Sequence, residues 1–262
     1  MATEPAANLA SIPALGRNVI TVASGKGGVG KTWFAITLAH AMARAGRKTL
    51  LFDGDLGLAN VDIQLGLMPK RDLASVISGK ISLAESVMEV EGAGFFVIAG
   101  RSGSGSLALV PPPRLTALRE RLLSLATQYD KLIMDLGAGV DRTVQTLTAP
   151  NGICLVVTSD EPTSLTDAYA FIKLTRAERP RADLRIVVNA VPTVADGRRT
   201  YETISKACRN FLSFDPPLAG IVRRDSKVKE SIQIQVPTLT RYPNCNAAVD
   251  VDLIVEQLLH PQ

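Results

Sequence analysis

The sequence predicts an α/β fold, a three-layer, doubly wound and mainly parallel sheet of about seven or eight strands. Three observations predict it. Apolar, β-branched runs recur along the chain, and most are continuous instead of alternating, the pattern of strands covered on both faces. Helical patterns fall between them, an alternation that right-handed crossovers wind into a parallel sheet. Hydrophobic residues make up 46% and charged residues 21%, enough apolar material for a sizeable core and too little charge for a disordered chain.

Residues 1–18 carry Glu4 and lack a basic start followed by an apolar core, so they read as a flexible arm and not as a secretory signal. One domain is expected over 19–262. Its first strand, 19–23, is an unbroken apolar run, and helix 31–45 starts directly after a glycine-rich loop. Strand 49–53 ends in acid, and a short helix over 73–77 precedes strand 95–99. Residues 100–113 are Gly/Ser-rich and end in three prolines, a surface connector ahead of helix 113–128. Strand 131–135 again ends in Asp and leads to helix 143–149. Strand 153–158, helix 164–179, strand 184–189, helix 200–212, strand 218–221 and helix 226–233 complete the alternation. Residues 249–262 have helical apolar spacing, but their ionised groups are Asp250, Asp252 and Glu256, whereas a membrane-surface helix needs Lys or Arg to meet anionic lipid. They are expected to pack on the body, with neither a transmembrane segment nor a basic membrane-targeting helix in the chain.

The motif with the most chemistry is residues 25–32, GKGGVGKT, between the first strand and the first helix. Gly25, Gly27, Gly28 and Gly30 let the backbone curl, with Lys26 and Val29, so that successive N–H groups face phosphate oxygens at the positive end of the helix. Lys31 can reach β- and γ-phosphates, and the Thr32 hydroxyl can meet Mg²⁺. ATP and Mg²⁺ are therefore the expected ligands. Two strand ends supply acid: Asp53 and Asp55 share a face of extended backbone, and Asp135 ends an apolar strand as a metal-side carboxylate that acts through water, followed by Gly137 and Gly139. Asp141 and Arg142 form either a surface ion pair or part of the site. Asn189, at another strand end, offers a donor and an acceptor either to a base edge or to a turn.

Lys26, a second lysine in one phosphate loop, makes KGGVGKT a deviant Walker A motif, and on it the chain resembles the MinD/ParA branch of the SIMIBI-class P-loop ATPases over residues 18–260. The stretch DGDLGLANVDIQLGL and the tail from Val228 through Pro237 to Asn244 are most similar to the MinD-like flagellar-number regulators of the FlhG/FleN group. The resemblance implies an ATPase, weak and dependent on dimerisation, that sandwiches ATP between two copies. Lys26 then acts across the dimer on the partner's nucleotide, Asp55 ties the attacking water, Asp53 supports the metal shell and Asn189 contacts the base. It implies a switch that positions or counts a cellular structure, with a flagellar GTPase, a switch-ring component or a regulator as protein client. It also implies a cytoplasmic location, peripheral at the inner membrane or cell pole through a partner. The activator motif of many such proteins is not recognisable in residues 1–18, and Arg223-Arg224 replace the usual proline and acid of the second base-flanking segment.

A ParA-type partitioning ATPase that binds nonspecific DNA is the alternative. The formal charge is +4 and the pI about 9.0, and residues 198–229 concentrate it: Arg198, Arg199, Lys206, Arg209, Arg223, Arg224, Lys227 and Lys229 stand against Glu202, Asp215 and Asp225. This stretch is either a set of solvated faces or a phosphate-binding surface. The three dispersed cysteines, Cys154, Cys208 and Cys245, fit neither a disulfide framework nor a CxxC metal site and suit a reducing compartment.

Overall fold

A computed structural model describes residues 15–100, 110–149 and 151–260; most of the 1–18 arm and of the 100–113 connector lies outside the described residues. The elements in chain order are β1 (Val19–Ser24), α1 (Lys31–Arg44), β2 (Thr49–Gly54), α2 (Val61–Leu65), α3 (Leu73–Ile77), β3 (Met88–Glu89), β4 (Phe96–Ile98), α4 (Pro112–Ala126), β5 (Lys131–Ala138) and α5 (Arg142–Leu147). They continue as β6 (Ile153–Thr158), α6 (Pro162–Glu178), β7 (Asp183–Val191), α7 (Val194–Leu212), β8 (Leu218–Arg223), α8 (Ser226–Gln233), α9 (Thr238–Arg241) and α10 (Asn246–Leu259).

The strands form one eight-stranded sheet in the order β3-β4-β2-β5-β1-β6-β7-β8. Pairing is parallel except for β3, which runs antiparallel on the edge beside β4. Successive side chains of a strand point to opposite faces, so every central strand feeds two cores. Val19 and Ala23 of β1, with Leu132, Met134 and Leu136 of β5, meet Leu122, Phe171 and Ile204 of α4, α6 and α7. Ile20, Val22 and Ile133 face the other way, onto Phe34 and Met42 of α1 and Val251, Ile254 and Val255 of α10. This is why the strands read as unbroken apolar runs.

The predicted strands and helices all form, with shifted ends. α7 starts six residues early at Val194, because the Thr193 hydroxyl accepts the Asp196 N–H at 3.1 Å and caps it. α10 packs on the body, as its spacing predicts, with seven buried residues from Ala247 to Leu258. β3, α2 and α9 were not anticipated; two, five and four residues long, they are too short to show a period. Among the described residues no helix is long and apolar enough to cross a membrane. All three cysteines are free.

The parallel order places the C-terminal ends of β1, β2 and β5 side by side, and with them the phosphate loop and both acidic strand ends.

Candidate nucleotide-binding site

The loop that joins β1 to α1 has no tolerance for side chains at two of its glycines. A Cβ on Gly25 would lie 2.1 Å from the Asp167 carbonyl oxygen of α6. Gly30 has φ +82, in the left-handed region, and a Cβ there would lie 2.5 Å from the Asn189 Nδ2. No side chain caps the start of α1 at Gly30, so the N–H groups of its first turn face the cleft, a ready anion site.

Two hollows meet over this turn. One, of about 600 Å³, runs from Lys26, Lys31 and Thr32 to Asp55, Gly137 and Asp141. The second, of about 570 Å³, lies beyond Gly30 toward Asn189, Arg224 and Val228. Gly28, Gly30, Trp33 and Ile232 border both, which makes the pair a continuous cleft with a phosphate end at the glycine-rich loop and a far end at Asn189.

Lys31 sits at the floor of the phosphate end, where its ammonium donates to Asp135 Oδ1 at 2.7 Å. Both side chains are almost wholly buried. Burial pushes the Asp135 carboxyl above its ordinary range, and the Lys31 charge and the Thr32 hydroxyl beside it oppose that shift in part. Its other oxygen, Oδ2, is buried without a partner among the described residues. Asp53 is the cross-strand neighbour of Asp135 and is buried as well. Its oxygens accept the N–H groups of Asp55 and Val61, both at 3.2 Å. Burial first, and the Asp135 charge second, push the Asp53 carboxyl up to about 7. An orphaned carboxylate oxygen, a second carboxyl beside it and a threonine hydroxyl are a donor set that fits Mg²⁺. Among the described residues no cluster of three or more His, Cys, Asp or Glu side chains could cage a metal by itself.

Asp55 lies at the cleft mouth. Its Oδ1 accepts the Leu58 N–H at 2.9 Å, and a Cβ on Gly137 would approach the same oxygen to 3.6 Å. Small residues at 137–139 therefore leave Asp55 room over the phosphate end. Asp141 accepts the Val144 N–H at 3.0 Å as the cap of α5, so it is a capping residue on the cleft wall and the surface ion pair with Arg142 does not form.

Lys26 behaves differently from Lys31. It is half exposed and points away from the floor, donating to Glu161 Oε2 at 3.0 Å and Thr163 Oγ1 at 2.9 Å at the start of α6. Asn189 is buried, and its Nδ2 donates to the Val29 carbonyl at 2.7 Å. It buttresses the phosphate loop from β7 and at the same time lines the second hollow. Val29 itself is buried under the loop.

Sequence reasoning missed Trp33, Glu161 and Thr163. Trp33, the chain's only tryptophan, forms the wall shared by both hollows and donates its Nε1–H to Thr238 Oγ1 at 2.8 Å. Its place directly after GKT was the signal available. Glu161 and Thr163 carry no local motif and become visible only when α6 is laid beside the loop. Four of the eight cations in the basic stretch 198–229 are paired: Arg199 with Asp196, Arg209 with Asp215, Arg223 with Asp250 and Lys227 with Glu230.

Comparison with known proteins agrees with this geometry. Residues 20–238 match the CobQ/CobB/MinD/ParA nucleotide binding domain. The chain is 34% identical over 240 residues to the antiactivator FleN of Pseudomonas aeruginosa, covering 92% of this chain and 85% of that protein. It is 30% identical over 215 residues to the flagellum site-determining protein YlxH of Helicobacter pylori, covering 82% and 72%. Its fold is similar to that of the cell division ATPase MinD of Pyrococcus furiosus, with TM-score 0.77 and 24% identity over 93% of this chain and 98% of that one. MinD of Pyrococcus horikoshii complexed with Mg-ADP gives TM-score 0.76 at 22% identity, covering 92% and 96%.

Proposed function

The chain belongs to the CobQ/CobB/MinD/ParA nucleotide-binding family, and from that premise we propose that it is an ATP-hydrolysing switch that dimerises on Mg-ATP. The observation that carries this reading is the division of labour between two lysines: Lys31 is buried on the cleft floor, and Lys26 stands on its open rim, bound to no group of the floor. One triphosphate needs one floor lysine; the rim lysine is left for the nucleotide of a second copy.

ATP lays its triphosphate on the N–H groups of residues 27–32, and Lys31 exchanges Asp135 for the β- and γ-phosphates. Thr32 and Asp135, with Asp53 behind, are the groups that would hold Mg²⁺, which would supply positive charge to offset that of the phosphates. Asp55 orients the attacking water from the cleft mouth, accepting a hydrogen bond from it. Lys26 leaves Glu161 and Thr163, crosses to the partner's γ-phosphate and stabilises the charge that develops there, the role of an arginine finger supplied in trans. Turnover is therefore slow in the monomer. Asn189 and Trp33 border the base. The two relatives named as an antiactivator and a flagellum site-determining protein support a role in setting the place or number of flagella through a protein client.

Lys26→Ala tests this assignment. Trp33 fluorescence should report ATP binding within a few fold of the native chain, while steady-state ATP turnover falls by about 10²-fold or more. Loss of ATP binding in the variant, or unchanged turnover, contradicts a trans role for Lys26.

A further inference from the structure

The second hollow of the cleft ends at an arginine that no carboxylate answers. Arg224 follows β8 and is gripped twice by the end of β7: its own N–H donates to the Val191 carbonyl at 2.7 Å, and its Nε–H to the Ala190 carbonyl at 3.1 Å. Ala190 has φ +58, the left-handed region that a residue with a Cβ seldom enters, and it lines the same hollow. Such strain persists where the surroundings over-determine it, and it gathers where a ligand is clamped.

The charges around Arg224 are committed elsewhere. Its neighbour Arg223 is held in a two-point contact by Asp250 of α10. Asp225 accepts the N–H groups of Lys227 and Asn246, one on each oxygen, and Glu161 accepts the Lys26 ammonium. Among the described residues Arg224 makes no salt bridge. A hydrogen bond to Nε lies in the plane of the guanidinium, so the grip of Ala190 fixes the group and leaves its faces bare.

The rest of the hollow suits a flat ring. Trp33 of α1 with Val228 and Ile232 of α8 gives it an apolar wall, and Asn189 gives it a polar edge. The route from the phosphate loop is short. A Cβ on Gly30 would touch the Asn189 amide, which holds the Val29 carbonyl, and the next residue, Ala190, holds Arg224.

Resting on the Mg-ATP reading of the cleft, we propose that Arg224 is a base-binding residue, which lays the face of its guanidinium on the purine ring of the nucleotide whose phosphates occupy the glycine-rich loop. Contact through a face grips the ring without reading its edge, so Arg224 adds affinity for the base and leaves the phosphates to Lys31. Attraction of an unpaired cation to the triphosphate is the poorer match. A lysine would serve that purpose equally, and the in-plane grip on Nε would be idle.

The test is calorimetric titration of the full chain with Mg-ATP and with Mg-tripolyphosphate, which carries the phosphates and no base. The native chain is compared with Arg224→Ala, Arg224→Lys and Lys31→Ala. Arg224→Ala should bind Mg-ATP at least about 5-fold more weakly, and Arg224→Lys, which keeps the charge and lacks the flat face, should fall with it. Both should bind tripolyphosphate within about 2-fold of the native chain, which also shows that the loop is intact in them. Lys31→Ala should lose both ligands. Failure of the native chain to bind Mg-ATP, or native-like ATP binding by Lys31→Ala, would overturn the reading of the cleft and the role of Arg224 with it. Where that reading stands, undiminished ATP affinity in Arg224→Ala, native affinity in Arg224→Lys, or an equal loss of ATP and tripolyphosphate would overturn the role of Arg224 alone.

Discussion

Lys26 and Lys31 stand five residues apart in one loop, yet one ammonium is buried against Asp135 and the other is exposed against Glu161. In the proposed switch, Lys31 would leave Asp135 for phosphate and free the second oxygen of that carboxylate. His40 shows the cost of a buried titratable group outside the site. It is 4% exposed in α1 beside Phe95, its Nδ1 has no partner among the described residues, and burial, then the Arg44 charge, lower it to about 4. The unfolded chain takes up this proton near pH 6.5 and the folded chain only near 4, so its contribution to stability is complete above pH 6.5 and declines as pH falls to about 4. Asp53 runs the other way without ligand: its raised folded value makes stability decline as pH rises from 3.8 to about 7. Urea titrations of the native chain and His40→Leu at a series of pH values should isolate the histidine. The difference between the two curves should change by about 2 to 3 kcal/mol across that window in the direction stated, and a constant difference would mean that His40 titrates normally in the fold.

At the scale of elements, the switch segment and the C-terminal helices are fastened together. Trp33 at the start of α1 donates to Thr238 of α9, which is hydrogen-bonded to Ser231 of α8 at 2.7 Å, and the Gln235 side chain donates to the Ile63 carbonyl of α2 at 2.8 Å. A displacement of Ile63 would therefore be felt at the α8–α9 turn through Gln235, and one of Trp33 at α9 and α8 through Thr238. α10 is fixed from the other side by close packing: a Cβ on Gly220 of β8 would lie 2.3 Å from Ile254 Cγ1. Gly220→Ala should thus push α10 outward and lower stability by about 1 to 3 kcal/mol in thermal or urea unfolding, whereas a neutral effect would show that Ile254 can turn aside. The alternation of strands and helices was legible because each strand is buried on both faces, and the phosphate loop was legible because glycine spacing has one steric meaning. The partners of Lys26 were not, since Glu161 and Thr163 are more than 130 positions away and are brought there by the crossover to α6. Nor was the fate of residues 198–229, four of whose cations pair with Asp196, Asp250 and Glu230 outside the stretch and with Asp215 inside it.

For the whole molecule, the parallel sheet separates two kinds of chemistry. The C-terminal ends of the central strands gather acids, glycines and two lysines around a cleft, and the N-terminal ends gather cations on the opposite rim. The net charge of +4 read from composition is thus a sum over surfaces of different character. The proposed switch rests on ATP closing two copies around two nucleotides. Light scattering coupled to sizing, with Mg-ATP against Mg-ADP, for the native chain and Asp55→Ala, tests it most directly. The account expects monomer in Mg-ADP, a dimer in Mg-ATP that decays as ATP is consumed, and a persistent dimer for Asp55→Ala. A native chain that stays monomeric in Mg-ATP, or an Asp55→Ala dimer that decays as fast as the native one, would contradict it.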